Sequence, residues 1–151
     1  MTATLYDPAT VAAMKTRVLR LRPDSPRQWG RMNASQAVAH CAAGIELALG
    51  ERRPPRVLAG RLFGWLIKPL ALGNDAPMRR NTPTVPELAV TDERDLAAER
   101  ERLCALIDRF AEAGPAGCTT HPHSFFGPLT PREWAVLMYK HLDHHLRQFG
   151  A

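Results

Sequence analysis

Cysteine is scarce in this chain. Three in 151 residues, an odd number without framework spacing, exclude a disulfide-stapled scaffold and fit a reducing compartment. Long apolar runs are missing too: Arg61 and Lys68 interrupt the most hydrophobic stretch, which leaves nothing of membrane-spanning length. The opening Met1–Pro8 has neither the basic nor the apolar region of a signal peptide. A cytoplasmic location without a membrane partner is the expectation. Strand-like alternation is absent, which points to an all-α class. Aromatics are few, at 7%, and are not interleaved with basic residues. A stacking platform for nucleic acid is therefore not expected.

What is present is the composition of one globular domain, residues 1–151, with 45% hydrophobic and 23% charged residues. The net charge of +5 is concentrated. Between Glu51 and Asn81 lie Arg52, Arg53, Arg56, Arg61, Lys68, Arg79 and Arg80 against Glu51 and Asp75, which accounts for the whole excess. Such a patch suits a lid over an anionic substrate, a dimer contact or a partner surface.

Helical periodicity predicts four main helices. The first runs from Asp7 or Pro8 to about Arg22, with Val11, Met14, Val18 and Leu21 inward. The second is capped by Asn33 or Ser35 and ends at Leu49 before Gly50, burying Ala34, Val38, Cys41, Ile45 and Ala48. The third spans Thr91 or Asp92 to Ala113. The last spans Thr130 to Gly150, with Thr130, Pro131 and Glu133 forming a capping-box start. Between the second and third lies a Pro-rich crossover. Within it Val57–Leu72 predicts an amphipathic helix with Leu58, Leu62, Trp65 and Leu66 on one face, limited or kinked by Pro69. The expected architecture is a four-helix bundle with a long crossover acting as a flap across one end.

The last helix carries the chemistry. At 100° per residue, Trp134, Leu137, Met138, His141, His145 and Gln148 share one side. An apolar stripe thus runs into two stacked imidazoles, which need partners if buried. His-x-x-x-His on one face suits a single metal ion. A partly exposed, histidine-rich helix end complementing the helix dipole is the alternative. His40 lies at the edge of the buried side of helix two, beside Ala37 and Gly44, whose small size leaves room for a close approach. By itself it reads as a core-edge histidine. Cys118, His121 and His123 form a weaker cluster without a fourth partner at recognised spacing. Cys41 beside His40 is a poor nucleophile–base pair, because adjacent helix residues point about 100° apart.

These pieces together resemble the DinB/YfiT-like superfamily, and within it a DinB-like family of uncharacterised proteins. The resemblance is carried by Trp29-Gly-Arg-Met-Asn-Ala-Ser-Gln-Ala-Val-Ala-His40, Asn74-Asp75-Ala-Pro77, Pro83-Thr-Val-Pro-Glu87, His121-Pro-His-Ser-Phe-Phe-Gly-Pro-Leu-Thr130 and Tyr139-Lys-His-Leu-Asp-His-His-Leu-Arg-Gln-Phe-Gly150. It implies a bundle, often dimeric, that holds a divalent metal, zinc or nickel, through His40, His141 and His145. It also implies an open position and a metal-dependent transferase using a low-molecular-weight thiol. Hydrolysis by the same kind of centre, or a non-catalytic metal-binding or interaction role, is the alternative. His144, Gln148, Asn74, Asp75, His121 and His123 are candidates for orienting a ligand or touching a small-molecule substrate. A homodimer is expected.

Overall fold

The structure is a computed structural model and describes residues 2–151. Five α-helices follow in order: α1 Pro8–Arg20, α2 Ala34–Ala48, α3 Leu58–Leu72, α4 Leu96–Ala113 and α5 Pro131–Gln148, with single 3-10 turns at Pro86–Leu88 and Pro115–Gly117. Among the described residues there is no strand, only an isolated bridge between His123 and Gly127. The all-α class is as expected. Among the described residues the helices are the four main ones expected and the one expected within the crossover; a four-helix arrangement of DinB type is not what the structure establishes.

The helix ends follow local chemistry. The Asp7 carboxylate accepts from Thr10 N at 2.8 Å, and Pro8 occupies the first turn of α1. Asn33 and Gln36 close one capping box, Thr130 and Glu133 another. α1 stops two residues short of its predicted end, because Leu21 turns extended and Arg22 N bonds to Ser25 Oγ instead. α4 starts at Leu96 rather than at Thr91 or Asp92, because Asp95 is the residue that caps it.

α2 is the central helix. Its alanines and Gly44 are short enough to be buried almost all round, which lets α4 and α5 pack close on either side. Val18, Ile45, Leu103, Ile107, Phe110, Trp134 and Leu142 fill the core these helices share with α1.

α3 meets this core only at its end, through Leu72 and Ala71. Its buried residues are Gly60, Gly64 and Leu72. The predicted apolar face, Leu58, Leu62, Trp65 and Leu66, points to solvent. The reason is steric: the two glycines, one turn apart, let the helix backbone settle directly on the backbone of Phe125 and Phe126. Val57 N donates to Ser124 O, Lys68 pairs with Glu133, and the Lys140 ammonium donates to Ala71 O at 2.5 Å and Asn74 O at 3.1 Å.

Candidate metal centre

Three imidazoles from two helices converge. α2 contributes His40 and α5 contributes His141 and His145, one nitrogen from each lying within 4.8 Å of the others. The rings stand edge to face, with centroids 4.7 to 4.8 Å apart. Gly44, one turn after His40, makes the closeness possible: a β-carbon there would lie 3.0 Å from His141 Nδ1. Among the described residues this is the one group of three histidine, cysteine or acidic side chains whose ligand atoms converge.

Hydrogen bonds outside the trio fix which nitrogens face inward. His40 Nδ1 lies 2.7 Å from Leu88 O, a carbonyl that only accepts, so Nδ1 carries the proton and Nε2 the lone pair. His145 Nδ1 lies 2.8 Å from Gln148 Oε1. Gln148 Nε2 in turn donates to Trp29 O at 2.8 Å, which sets the amide so that Oε1 accepts. His145 Nε2 is therefore also a lone pair. The nearest partner of His141 is His40, with their Nε2 atoms 2.9 Å apart. Two such nitrogens need either a shared proton or a cation between them. Tetrahedral coordination at 2.0–2.1 Å sets ligand nitrogens about 3.3 Å apart, so an ion would part His40 and His141 by a few tenths of an ångström and draw in any pair near the 4.8 Å limit by up to about 1.5 Å.

Electrostatics keeps all three rings neutral. Burial lowers the His40 pKa, against a smaller upward pull from its bond to Leu88. His141 is held well below the usual imidazole range by burial first, then by its histidine neighbours. Burial and the nearby His40 lower His145 to about 3. Neutral imidazoles with fixed tautomers are the form that binds metals.

The other candidate residues divide. Gln148 is buried and orients His145. His144 sits at the rim, its ring 5.0 Å from His145 and 5.3 Å from Trp29. The Arg80 guanidinium lies 4.0 Å over the same indole. Trp29 is the rim residue that periodicity missed; it precedes the cap of α2, and only its place in the quoted motif marks it, whereas Arg80 belongs to the basic stretch already read as suited to an anionic group. Asn74 closes a turn, donating to Leu70 O and accepting from Ala76 N, and Asp75 is exposed. His121 Nε2 meets Pro54 O at 3.1 Å, and His123 Nδ1 accepts from Phe125 N and Phe126 N. Those two imidazoles pin the loop under α3 and do not join the trio. Cys41 is fully enclosed, and burial pushes its thiol pKa far upward, so it is no nucleophile at neutral pH.

A helical domain with a partly buried three-histidine cluster at the α2–α5 seam is thus the class that fold and site define. The chain belongs to the family described as "Protein of unknown function (DUF1569)", whose model matches residues 7–151. No curated protein and no solved structure matches it. This corrects the expected DinB/YfiT membership: the match is to DUF1569, and no comparison places the chain in that superfamily. The implications drawn through that resemblance must therefore stand on this chain's own residues. Among the described residues, no helix is long and apolar enough to cross a membrane.

Proposed function

We propose that the chain binds one divalent transition metal, zinc or nickel, through His40, His141 and His145 and uses it on a small molecule admitted past Trp29, His144 and Arg80. The observation carrying this is the convergence of three imidazole nitrogens within 4.8 Å, two of them with the opposite ring nitrogen already tied to an acceptor. A histidine-rich helix end would have no use for such matched tautomers.

When bound, such an ion supplies Lewis acidity, lowering the pKa of a coordinated thiol or water. The chain's residues do the rest. Leu88 O and Gln148 hold two rings in orientation. His144, neutral because burial lowers its pKa, can take a proton at the rim. Arg80 offers a positive charge to an anionic group on the incoming molecule. The buried or half-buried carboxylates on the two ligand-bearing helices are engaged: Asp143 with Arg17 and Arg147, Glu46 with Arg52 and Arg102, and Glu133 with Lys68. Water attack would want such a base, whereas a thiol ionised at the metal does not. That favours transfer to or from a low-molecular-weight thiol over hydrolysis.

The test is metal content by mass spectrometry on untagged protein, comparing wild type with His40→Ala, His145→Ala and His144→Ala. Near-stoichiometric metal is expected in wild type and His144→Ala, and loss in the other two. Cobalt-loaded protein should then show a thiolate-to-cobalt charge-transfer band on adding a small thiol. Wild type that takes up no zinc or nickel would end the metal reading; metal without the band would end the thiol reading alone.

A further inference from the structure

The surface holds one large feature that the histidine centre does not use. α3 exposes Leu58, Leu62, Phe63, Trp65, Leu66, Ile67 and Leu70, with Trp65 and Leu70 at 70%. Together they present on the order of 800 Å² of apolar surface, where the largest patch on a typical monomer is about 300–600 Å². We propose that this face of α3 docks in the plane of an anionic phospholipid bilayer, with its side chains at the headgroup–acyl boundary.

Size alone would also admit a second copy, since one side of a standard interface is about 800 Å². Shape and charge decide against it. At 100° per residue, Trp65 and Phe63 point about 160° apart, with Leu58, Leu62, Leu66 and Leu70 between them and no charged residue in that arc. This is a convex ridge wrapping nearly half the helix. A facing rigid ridge covers its crest and leaves Trp65 and Phe63 wet, whereas a fluid surface closes over the whole arc.

The charge around the ridge is predominantly positive. From Arg52 to Asn74 there is no acidic residue, with Arg53 and Arg61 exposed, and just beyond it the exposed Asp75 stands against the exposed Arg79 and Arg80. An isologous pairing would set this rim against its own copy; an anionic headgroup layer complements it. A free surface helix needs a densely polar back. α3 needs none, because Gly60 and Gly64 seat its back on the protein. The contact lies in the surface plane and involves no crossing.

Flotation of the untagged full chain with vesicles of phosphatidylcholine, alone or with 30% phosphatidylglycerol (about one lipid in three), tests this. Wild type is expected to float with the anionic vesicles at least tenfold more tightly than with the neutral ones, and less as salt rises. Leu62→Glu combined with Trp65→Glu should lose that binding at least tenfold with an unchanged far-ultraviolet circular dichroism spectrum. A second readout does not depend on that variant folding. Lipids brominated on their acyl chains should quench wild-type tryptophan emission, and Trp65→Phe should remove the quenching. No flotation, flotation indifferent to lipid charge, or absence of Trp65 quenching overturns the proposal. A sedimenting dimer that the double substitution splits, without vesicle binding, overturns it in favour of a second copy.

Discussion

The seating of α3 on its two glycines yields a prediction whose sign is diagnostic. A β-carbon at Gly60 would lie 2.5 Å from both Phe125 Cα and Phe125 O. At Gly64 it would meet the Phe125 carbonyl oxygen closer still, with Phe126 Cα at 3.2 Å. All of these are backbone atoms, which cannot swing aside as a flexible side-chain tip can. Carbon contacts are most favourable near 3.5–4.0 Å, so Gly60→Ala must lift the helix by about 1 Å and Gly64→Ala by more. Overpacking of this kind costs about 1–3 kcal/mol. Alanine returns roughly 0.5–1 kcal/mol through its better helix propensity. Gly60→Ala should therefore destabilise by up to about 2.5 kcal/mol, a fall in Tm of up to about 10 °C for a chain of this length, and Gly64→Ala should cost more. The assay is urea and thermal unfolding of the metal-free protein. A helix loosely associated with the loop would instead gain stability from each alanine. A rise in Tm for Gly64→Ala would therefore refute the close seating and, with it, the outward orientation of the apolar face.

Other consequences follow from the same geometry. Gln148→Leu removes the acceptor that orients His145 and should weaken metal binding about 10–100-fold, measured by chelator competition, with the fold intact. Metal-free protein should lose stability as pH falls from about 6.5 toward about 4, the value to which burial and then Arg56 lower His123. Its folded pKa is depressed, so the unfolded chain takes up the proton first and the stabilisation is present only above that window. His145, lowered to about 3, extends the loss further down, and a urea midpoint flat between pH 7 and 4.5 would contradict both. Lys140→Met should release Ala71 O and Asn74 O, cost about 1–3 kcal/mol and speed trypsin cleavage at Arg79 and Arg80 in native protein.

Much of the fold was legible because it rests on local chemistry. The caps at Asn33 and Thr130 and the 3.6-residue stripes of α1, α2, α4 and α5 are written in neighbouring residues. His141 and His145 could be placed on one face of α5 from spacing alone. Two things were not legible. The ring of His40 reaches the pair only because Gly44 lets α5 come close, and the packing of one helix on another has no period within either sequence. The inward face of α3, Gly60 and Gly64, was hidden for the opposite reason. A 3.6-residue apolar stripe marks the inward face on every other helix here, whereas on α3 the inward face is marked by two glycines meeting a backbone some sixty residues away. Periodicity reports side chains and does not register a contact made through their absence.

Lys140 and His141 are sequence neighbours, and that adjacency ties the two parts of the molecule together. Successive positions on α5 point about 100° apart: His141 turns to α2 and the histidine centre, while Lys140 turns to the carbonyl end of α3. The residues that follow α3 then run back over the centre, where Arg80 stacks on Trp29 and Leu88 O holds His40. The apolar ridge and the three imidazoles are therefore joined by one short stretch of chain, anchored at its start by the Lys140 ammonium and at its end by a bond to a candidate ligand. Lys140→Met cuts the first anchor and leaves the second. If this stretch positions His40, the variant's metal affinity should fall along with its resistance to trypsin. An affinity equal to wild type, measured by the same chelator competition, would show that Leu88 holds the ring without help from α3.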